Sequence, residues 1–480
     1  MNRSARLTAL RVVAIRVALA LFVIACAMAA ALSARPARAD EATRDTAGDL
    51  ANPLPRRGFF GAVTAAMPAD ERTHLGFPDT AGVVIQSVVE GAGAARAGLQ
   101  AEDVILTVDG AGVATPGQLA LRMAGRKPGD KVAIAYSRAS RRRVKSVELT
   151  EAPREASAEY DIVYGSITSR AGRQRTIITK PKSPGPHPAF FIIQGIGAFT
   201  MERGPGGAAG YAAIIEDFAA RGFVTLRVDK PGCGDSEGGP LKDVDFDTQL
   251  DGFRHALAML RSDPDVDRDR ILIFGHSMGG VWGPLLATEM PVRGIAVYGT
   301  VAKTWVEYTF ENNRRQAALG GATAAEIDTL IRQEAIGNYF LCEVGMTPDE
   351  LATARPEMSA WVDSTFVERK YSSGLHYNFL RQLNSKNLAA AWEAFPGWAL
   401  AVWGRSDFIS GEADHALVAQ IVNARNAGRG EFVVLENSDH GFYEAMTFEE
   451  SIANWGKPGR RLNPAIVETL RAWSEKVARN

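Results

Sequence analysis

The chain has 480 residues, of which 46% are apolar, and that length exceeds what one hydrophobic core usually holds. Two domains are therefore expected. The formal net charge is −1, and this near-neutral balance gives no indication of a nucleic-acid partner. Small-molecule or peptide chemistry is the default expectation.

The first forty residues have the layout of an export signal. Arginines at positions 3, 6, 11 and 16 precede an apolar run over 17–34, and the first acidic residue is Asp40. Ala37-Arg38-Ala39 supplies the small-x-small motif of signal peptidase, so residues 1–39 are predicted to be a signal peptide and the mature chain to be secreted or periplasmic. Two alternatives stay open. The apolar run is long enough to anchor the chain in a membrane uncleaved, and Cys26 lies in a stretch that loosely resembles a lipoprotein cleavage box.

Residues 40–56 are polar and contain prolines, which predicts a linker. After them, short β-type runs at 82–88, 104–108 and 131–136 alternate with glycine-rich turns and one helical stretch, 116–124. The sequence RGFFGA at 57–62 looks like a carboxylate-binding loop, and AARAGLQAEDVI at 94–105 matches the pattern A-x-x-A-G-L-x-x-x-D-x-I. Over residues 57–150 the chain therefore resembles a PDZ domain, a small β-rich fold.

That resemblance implies a peptide-binding groove. The backbone N–H groups of Phe59, Phe60 and Gly61 would hold a peptide's terminal carboxylate, and the peptide would add a strand beside the helix that starts near Pro116. The alternative is a domain that only packs against its neighbour and binds no peptide.

A second polar linker, 151–158, leads into a different pattern. Runs at 160–166 and 174–180 alternate like a hairpin closed around Ala171-Gly172. Apolar strands then follow at 189–193, 224–228, 271–274, 294–297, 400–403 and 432–435, with helical stretches such as 210–221 and 248–261 between them. Continuous apolar strands that alternate with helices predict an α/β fold with a mostly parallel sheet covered on both faces.

A candidate nucleophile follows one of these strands directly. Gly275-His276-Ser277-Met278-Gly279 is a G-x-S-x-G motif between the strand 271–274 and a helix start rich in small residues. In this context the motif predicts a strained strand-to-helix turn that lifts the serine hydroxyl out of the sheet at its carboxyl edge. His276 is expected to point away from the catalytic face.

An activated serine needs a base, and the base needs a partner that fixes its tautomer. In this fold the acid and then the histidine follow the serine along the chain. Asp407 follows the strand 400–403 and His440 follows the strand 432–435, so both are expected at the serine's edge of the sheet. Asp439 is a rival acid, but adjacent residues rarely orient each other. His376 and His415 follow no suitable strand.

The tetrahedral intermediate requires hydrogen-bond donors aimed at its oxyanion. One is expected to be the N–H of Met278, the residue after the nucleophile. The loop after the strand 189–193 reads Gln194-Gly195-Ile196-Gly197, and the N–H of Ile196 is the second candidate. An ordinary glycine-rich turn is the alternative interpretation of this loop.

Together these residues resemble the α/β-hydrolase superfamily over residues 155–480. The sequence DKPGCGDS at 229–236 adds to the likeness, since it stands where the family has D-x-R-G-x-G-x-S. Gln194 departs from the histidine common before the oxyanion glycine, and Lys230-Pro231 alters the usual turn. The likeness is nearest to the serine aminopeptidase and dipeptidyl-peptidase-like branch, which also contains esterases.

The stretch between residues 297 and 400 is far longer than a simple crossover needs, and it is helix-like and aromatic. It predicts a helical cap inserted at about 303–396 that shapes the substrate pocket. The alternative is that its aromatic side chains fill the cap's own core.

The resulting prediction is an exported serine hydrolase that cleaves esters or amides through an acyl-enzyme, with no cofactor and no metal. Its partners would be a small-molecule ester or peptide substrate and a peptide C-terminus in the PDZ groove, and a membrane only if the N-terminal segment is uncleaved. Peptidase and carboxylesterase fit equally. The alternative is a PDZ-led scaffold with a non-catalytic hydrolase fold, in which loss of Ser277 changes nothing.

Cys233 and Cys342 allow at most one disulfide in an oxidising compartment.

Overall fold

The computed structural model describes residues 52–67, 82–123, 125–204, 209–457 and 459–479. The predicted signal peptide and its two alternatives lie outside these ranges. Within them, no helix combines the length and the apolar character that crossing a membrane requires.

The N-terminal region is rich in β-structure. Its strands are β1 (Gly58–Phe59), β2 (Ala62–Ala66), β3 (Val83–Val88), β4 (Val104–Val108), β5 (Ala111–Gly112), β6 (Lys131–Arg138), β7 (Arg141–Glu148) and β8 (Thr150–Glu151), and its helices are α1 (Gly93–Arg96) and α2 (Pro116–Met123). An antiparallel sheet has the order β2-β3-β4-β6-β7, with β5 on β4, while β1 pairs with β8. Apolar residues such as Ile85, Ile105 and Ile134 fill one core beneath it.

The three predicted strands and the predicted helix of this region are confirmed, but the other elements were missed. Strand β7 illustrates the cause, because residues 141–146 are all exposed and several of them are basic. It therefore lacks the apolar alternation on which strand prediction depends. Strand β7 forms instead through its eight-residue register with β6.

The larger region is built on an eight-stranded sheet. Its strands and a two-stranded hairpin are β9 (Tyr160–Ser169), β10 (Gly172–Pro181), β11 (His187–Ile193), β12 (Val224–Val228), β13 (Val266–His276), β14 (Gly294–Tyr298), β15 (Tyr371–Ser372), β16 (Leu375–His376), β17 (Trp398–Gly404) and β18 (Gly430–Leu435). The sheet order is β18-β17-β14-β13-β11-β12-β10-β9, and β15 pairs with β16 apart from it. Strands β11 to β14, β17 and β18 run parallel, whereas β10 is antiparallel to both its neighbours. The predicted mostly parallel sheet is confirmed.

The described part of this region contains the following helices, several of which cover the two faces of the sheet. They are α3 (Ala212–Ala220), α4 (Phe246–Ser262), α5 (Gly279–Ala287), α6 (Trp305–Leu319), α7 (Ala324–Asn338), α8 (Pro348–Ala354), α9 (Ser359–Thr365), α10 (Tyr377–Asn384), α11 (Leu388–Ala394), α12 (Glu412–Arg425), α13 (Phe448–Asn454) and α14 (Ala465–Arg479). Side chains of α4, α5, α11 and α12 form one core with the sheet, and those of α3 and α14 form the core on the other face.

Helices also dominate the long stretch between β14 and β17, which holds α6 to α11. Part of it has a core of its own, in which Trp361 and Phe366 pack with Leu351, Met358 and Val362. Phe379 and Trp392 belong instead to the core of the main sheet. Trp361 and Phe366 thus fill a core of this stretch itself, as the alternative interpretation expects, whereas Phe379 and Trp392 do not.

A buried polar network joins the two regions. The Arg56 guanidinium donates to Asp235 at 2.7 Å and to Glu202 at 3.1 Å, and the Arg57 N–H donates to Asp235 at 3.0 Å. Arg175, on β10, shares the same two acids. Residues 52–56, which the sequence assigns to a linker, therefore lie against the larger region. The buried Arg56 side chain holds them there through its hydrogen bonds to Asp235 and Glu202.

Candidate active site

Strand β13, a sharp turn and helix α5 present the candidate nucleophile. Ser277 has a φ of 54°, in the left-handed region that residues with a side chain rarely adopt. The turn is held because the Ser277 N–H donates to the carbonyl of Tyr298 on the neighbouring strand β14, at 2.8 Å. The serine is therefore kept in a strained conformation at the end of a buried strand.

The two glycines of the motif are needed because the turn leaves no room for side chains. A Cβ at Gly275 would stand 2.4 Å from the carbonyl oxygen of Gly279. A Cβ at Gly279 would stand 2.0 Å from the carbonyl oxygen of Ile193, at the end of β11. Since both obstacles are backbone atoms, neither can move aside cheaply.

The structure brings the predicted acid and base together. Asp407 follows β17, His440 follows β18, and the imidazole Nδ1 lies 2.8 Å from a carboxylate oxygen of Asp407. The rival Asp439 accepts hydrogen bonds from the N–H groups of Gly441 and Tyr443 and pairs with an arginine. It is therefore Asp407 that contacts the imidazole.

Asp407 is stabilised as a carboxylate. Its Oδ1 accepts from the N–H groups of Ile409 and Ser410 at 2.8 and 2.9 Å, and its Oδ2 accepts from the Ser410 hydroxyl at 2.5 Å. Burial alone would raise the pKa of Asp407, but the charge of His440 and these hydrogen bonds lower it to about 2. The carboxylate is thus ionised at neutral pH and keeps the imidazole proton on Nδ1, which leaves Nε2 free to accept a proton.

The serine turn and the histidine loop are fastened to the same tyrosine. Tyr298 accepts the Ser277 N–H at its carbonyl and donates its hydroxyl to the carbonyl of Asp439, which precedes His440, at 2.6 Å. Across the part of the chain that the structure describes, no hydrogen bond joins the Ser277 hydroxyl to the imidazole. Such contacts commonly tighten only when substrate is present.

The two predicted oxyanion donors lie beside the serine. Helix α5 begins after Met278, and the loop that holds Ile196 approaches the nucleophile so closely that a Cβ on Gly195 would stand 3.1 Å from the Ser277 Cβ. Among the described residues, no acceptor takes the N–H of Met278 or of Ile196. Both donors are therefore free for a ligand.

Sequence reasoning missed a hydrogen-bonded chain beneath the site. The N–H of Gly195 lies 3.3 Å from the Tyr211 hydroxyl, and that hydroxyl lies 2.6 Å from Nδ1 of His276, whose Nε2 lies 2.8 Å from the carbonyl of His440. Burial, and then the charge of His440, lower the pKa of His276 to about 3, so its ring is neutral at pH 7. His276 therefore links the oxyanion loop to the histidine loop. Nothing in the sequence pairs it with Tyr211.

A lysine also contacts the oxyanion loop. Lys230, only 1% exposed, donates from Nζ to the carbonyl oxygen of Gly195 at 2.6 Å. The sequence marks this position only as a departure from the family's usual turn.

The candidate carboxylate-binding loop has two N–H groups that find no acceptor among the described residues. Phe59 lies in β1, paired with Thr150, but no acceptor within the described ranges takes the N–H of Phe60 or Gly61. Gly61 has a φ of 76°, and a Cβ there would stand 2.1 Å from the Cβ of Ala92. Within the described part of the chain, strand β2, which follows the loop, pairs with β3 alone.

Two further features bear on the chemistry. Cys233 and Cys342 are both free thiols, so the disulfide that the sequence allows is not formed. Within the described ranges, no group of three or more histidine, cysteine, aspartate or glutamate side chains is placed to hold a metal ion.

Comparison with known proteins gives two family matches and several partial relatives. A model of the alpha/beta hydrolase family matches residues 204–450, and a PDZ domain model matches residues 63–149. Polyketide transferase ATR5 of Stachybotrys chlorohalonatus is 27% identical over 191 residues, which are 38% of this chain and 63% of that protein. Esterase EstD of Thermotoga maritima is 24% identical over 172 residues, 36% of this chain and 39% of that protein.

A third relative is a probable periplasmic serine endoprotease, DegP-like, of Brucella suis. It is 30% identical over 99 residues, which are 21% of this chain and 19% of that protein. The chain thus spans between 19% and 63% of the length of these three relatives. The fold, the strained serine turn and the two family matches agree: this chain belongs to the alpha/beta hydrolase family and carries a PDZ domain on its N-terminal side.

Proposed function

We propose that the protein is a serine hydrolase that cleaves esters or amides. Ser277 Oγ attacks the carbonyl carbon while Nε2 of His440 takes the hydroxyl proton, and the N–H groups of Met278 and Ile196 bind the oxyanion. The imidazolium, stabilised by Asp407, then gives its proton to the leaving alcohol or amine. An acyl-enzyme results, and a water deprotonated by the same imidazole releases the acid.

One observation carries this proposal. The buried, hydrogen-bonded pair of Asp407 and His440 lies at the edge of the sheet where the strained Ser277 ends its strand, and the N–H groups of Met278 and Ile196 beside that serine have no acceptor among the described residues. A merely structural histidine needs neither an ionised carboxylate nor a free Nε2. This set of groups is what acyl transfer requires.

The domain layout belongs to the same proposal. We assign residues 57–150 to the PDZ domain, 155–480 to the hydrolase domain and about 303–396 to a cap over its site. The N–H groups of Phe60 and Gly61, which have no acceptor among the described residues, lie next to β2, an edge strand of the described sheet, and this arrangement supports a groove for a peptide C-terminus. The arginine-rich start, the apolar run and Ala37-Arg38-Ala39 support export with cleavage after Ala39, and thus a secreted or periplasmic location.

The test is turnover on two matched panels, p-nitrophenyl esters and aminoacyl p-nitroanilides. We expect the wild type to hydrolyse members of at least one panel and Ser277→Ala to lose at least about 10³-fold in kcat. Ser183→Ala, a change at an exposed turn, is the matched control and should keep full activity. Turnover of esters alone would assign a carboxylesterase, and turnover of anilides would assign a peptidase. Equal activity of Ser277→Ala and wild type would refute the proposal.

A further inference from the structure

We propose that Lys230 is a positioning residue that orients and polarises the peptide group between Gly195 and Ile196, and so strengthens the second oxyanion donor. The inference rests on the proposed serine chemistry. It assigns to a buried lysine, far from the nucleophile in sequence, a part in stabilising the transition state.

The argument begins with one peptide group. The carbonyl that accepts the Lys230 ammonium at 2.6 Å belongs to Gly195, and the N–H of the same peptide unit belongs to Ile196. In a trans peptide the C=O and the N–H point in opposite directions. An ammonium on the oxygen side therefore leaves the N–H directed away from the lysine, and Gly195 lies against Ser277.

The charge of the ammonium has a second effect. Hydrogen bonds to ionised donors are about twice as strong as neutral ones. Since hydrogen bonds polarise the groups they join, a positive charge on the carbonyl oxygen draws electron density from the N–H end and makes it a better donor. The effect is large here because Lys230 is 1% exposed, and water does not screen it.

The oxyanion loop needs such a restraint. Gly195 has no side chain, so its backbone is freer to rotate than that of any other residue. A rotation of the peptide unit that follows it would turn a carbonyl oxygen, instead of an N–H, toward the oxyanion. The structure holds Gly195 from both sides, since its N–H lies 3.3 Å from the Tyr211 hydroxyl and its carbonyl accepts from Lys230.

A purely structural role explains the lysine less well. Its neighbour Asp229 already accepts from Arg175 at 2.8 Å, from Thr200 at 3.1 Å and from the N–H of Met201 at 2.5 Å. A buried ammonium is costly to desolvate, and an apolar side chain of similar length would fill the same space without that cost. The ammonium also lies 5.8 Å from the centre of the Phe199 ring, and its contact with the Gly195 carbonyl is the one that reaches the oxyanion peptide.

The experiment compares Lys230→Met with wild type by steady-state kinetics and by the affinity for a boronic acid, which forms a tetrahedral adduct with an active serine. We expect kcat to fall about 10- to 100-fold, less than the 10²- to 10³-fold loss of a whole oxyanion donor. KM should stay within about twofold, and boronic acid binding should weaken by the same factor as kcat, because only interactions made in the transition state are lost.

Two variants keep the outcome decisive. Lys180→Met removes a partly buried lysine that pairs with Asp263 and Asp265 away from the serine, and should leave kcat and boronic acid affinity unchanged. Lys230→Gln keeps a donor without the charge and replaces the methionine variant if that variant does not fold; we expect a smaller loss with the same signature. An unchanged kcat in the Lys230 variants, or a rise in KM alone, would overturn the inference about Lys230. The proposed function would still stand in that case, provided that the wild type turns over substrate. A wild type without turnover would instead defeat the proposed function.

Discussion

At the scale of single residues, the site depends on which carboxylate meets the imidazole. Asp407 and Asp439 lie at the ends of neighbouring strands, and only Asp407 contacts Nδ1 of His440. The sequence predicted this choice because Asp407 follows a parallel strand in the Ser, acid, His order of the fold, and because Asp439 is adjacent to His440. The supporting contacts of Ser410, Tyr211 and Lys230 were not predictable, since they depend on how distant segments pack.

The first prediction follows from that contact. Asp407→Asn should lower kcat about 10⁴-fold with little change in fold, because an amide no longer holds the proton on Nδ1. Asp439→Asn is the matched control, since an amide oxygen still accepts from Gly441 and Tyr443, and its kcat should fall less than about tenfold. Steady-state kinetics on one substrate decides the matter, and a larger loss in Asp439→Asn would reassign the acid.

The second prediction concerns pH. Because the pKa of His276 is lowered to about 3, the unfolded chain binds a proton between pH 6.5 and pH 3 that the folded chain does not. His276 therefore destabilises the fold as pH falls below 6.5, by up to about 1.4 kcal/mol per pH unit. His276→Gln should flatten the pH dependence of the free energy of unfolding, measured by urea denaturation at pH 7, 6 and 5. An unaltered slope in the variant would contradict this account.

At the scale of secondary structure elements, the parallel strands were predictable because apolar runs mark them, and the serine motif marks the end of β13. The exact ends of the helices and strands were less predictable. Helix α4 begins at Phe246, two residues before the predicted start, because the side chain of Asp245 accepts the N–H of Thr248 and caps it. Sequence analysis missed the strands that are short or carry exposed side chains, which are β1, β2, β5, β7 and β8. These strands are defined by their hydrogen bonds to neighbouring strands rather than by a pattern of apolar residues.

The third prediction tests the serine turn as an element. Gly279→Ala should destabilise the protein by about 1–3 kcal/mol or more, because the new Cβ would collide with the Ile193 carbonyl. The collision would shift the start of α5, and with it the N–H of Met278, so kcat should also fall. Gly283→Ala on the same helix is the control. Its Cβ would stand 3.4 Å from Ile295, an ordinary contact, so stability should be kept or improved. Thermal unfolding and kinetics of both variants provide the check, and equal behaviour would be inconsistent with the crowded turn.

At the scale of the whole molecule, buried charges bind the segment that precedes the PDZ domain to the larger region. The Arg56 side chain is 3% exposed, and that of its partner Asp235 is 5% exposed. The sequence predicted two domains from length and motifs, but it treated residues 52–56 as a linker. A buried arginine that pairs across some 180 positions leaves no local pattern.

The fourth prediction follows from that burial. Arg56→Ala leaves Asp235 and Glu202 with fewer positive partners and should lower the free energy of unfolding by about 3–5 kcal/mol. Arg126→Ala, which breaks the exposed pair with Asp109, should cost less than about 1 kcal/mol. Urea denaturation measures both. Small-angle scattering would show whether the Arg56 variant also lets the PDZ domain separate, and equal costs for the two arginines would rule out a buried junction.

The central claim is that Ser277 is a nucleophile activated by His440. It is tested most directly by reaction with a fluorophosphonate probe, followed by mass spectrometry of the labelled peptides. The wild type should carry one covalent adduct on the peptide that contains Ser277. Ser277→Ala should carry none, and His440→Ala should react at least about 10²-fold more slowly. An adduct on another residue, or labelling that proceeds at the wild-type rate without the imidazole, would contradict it.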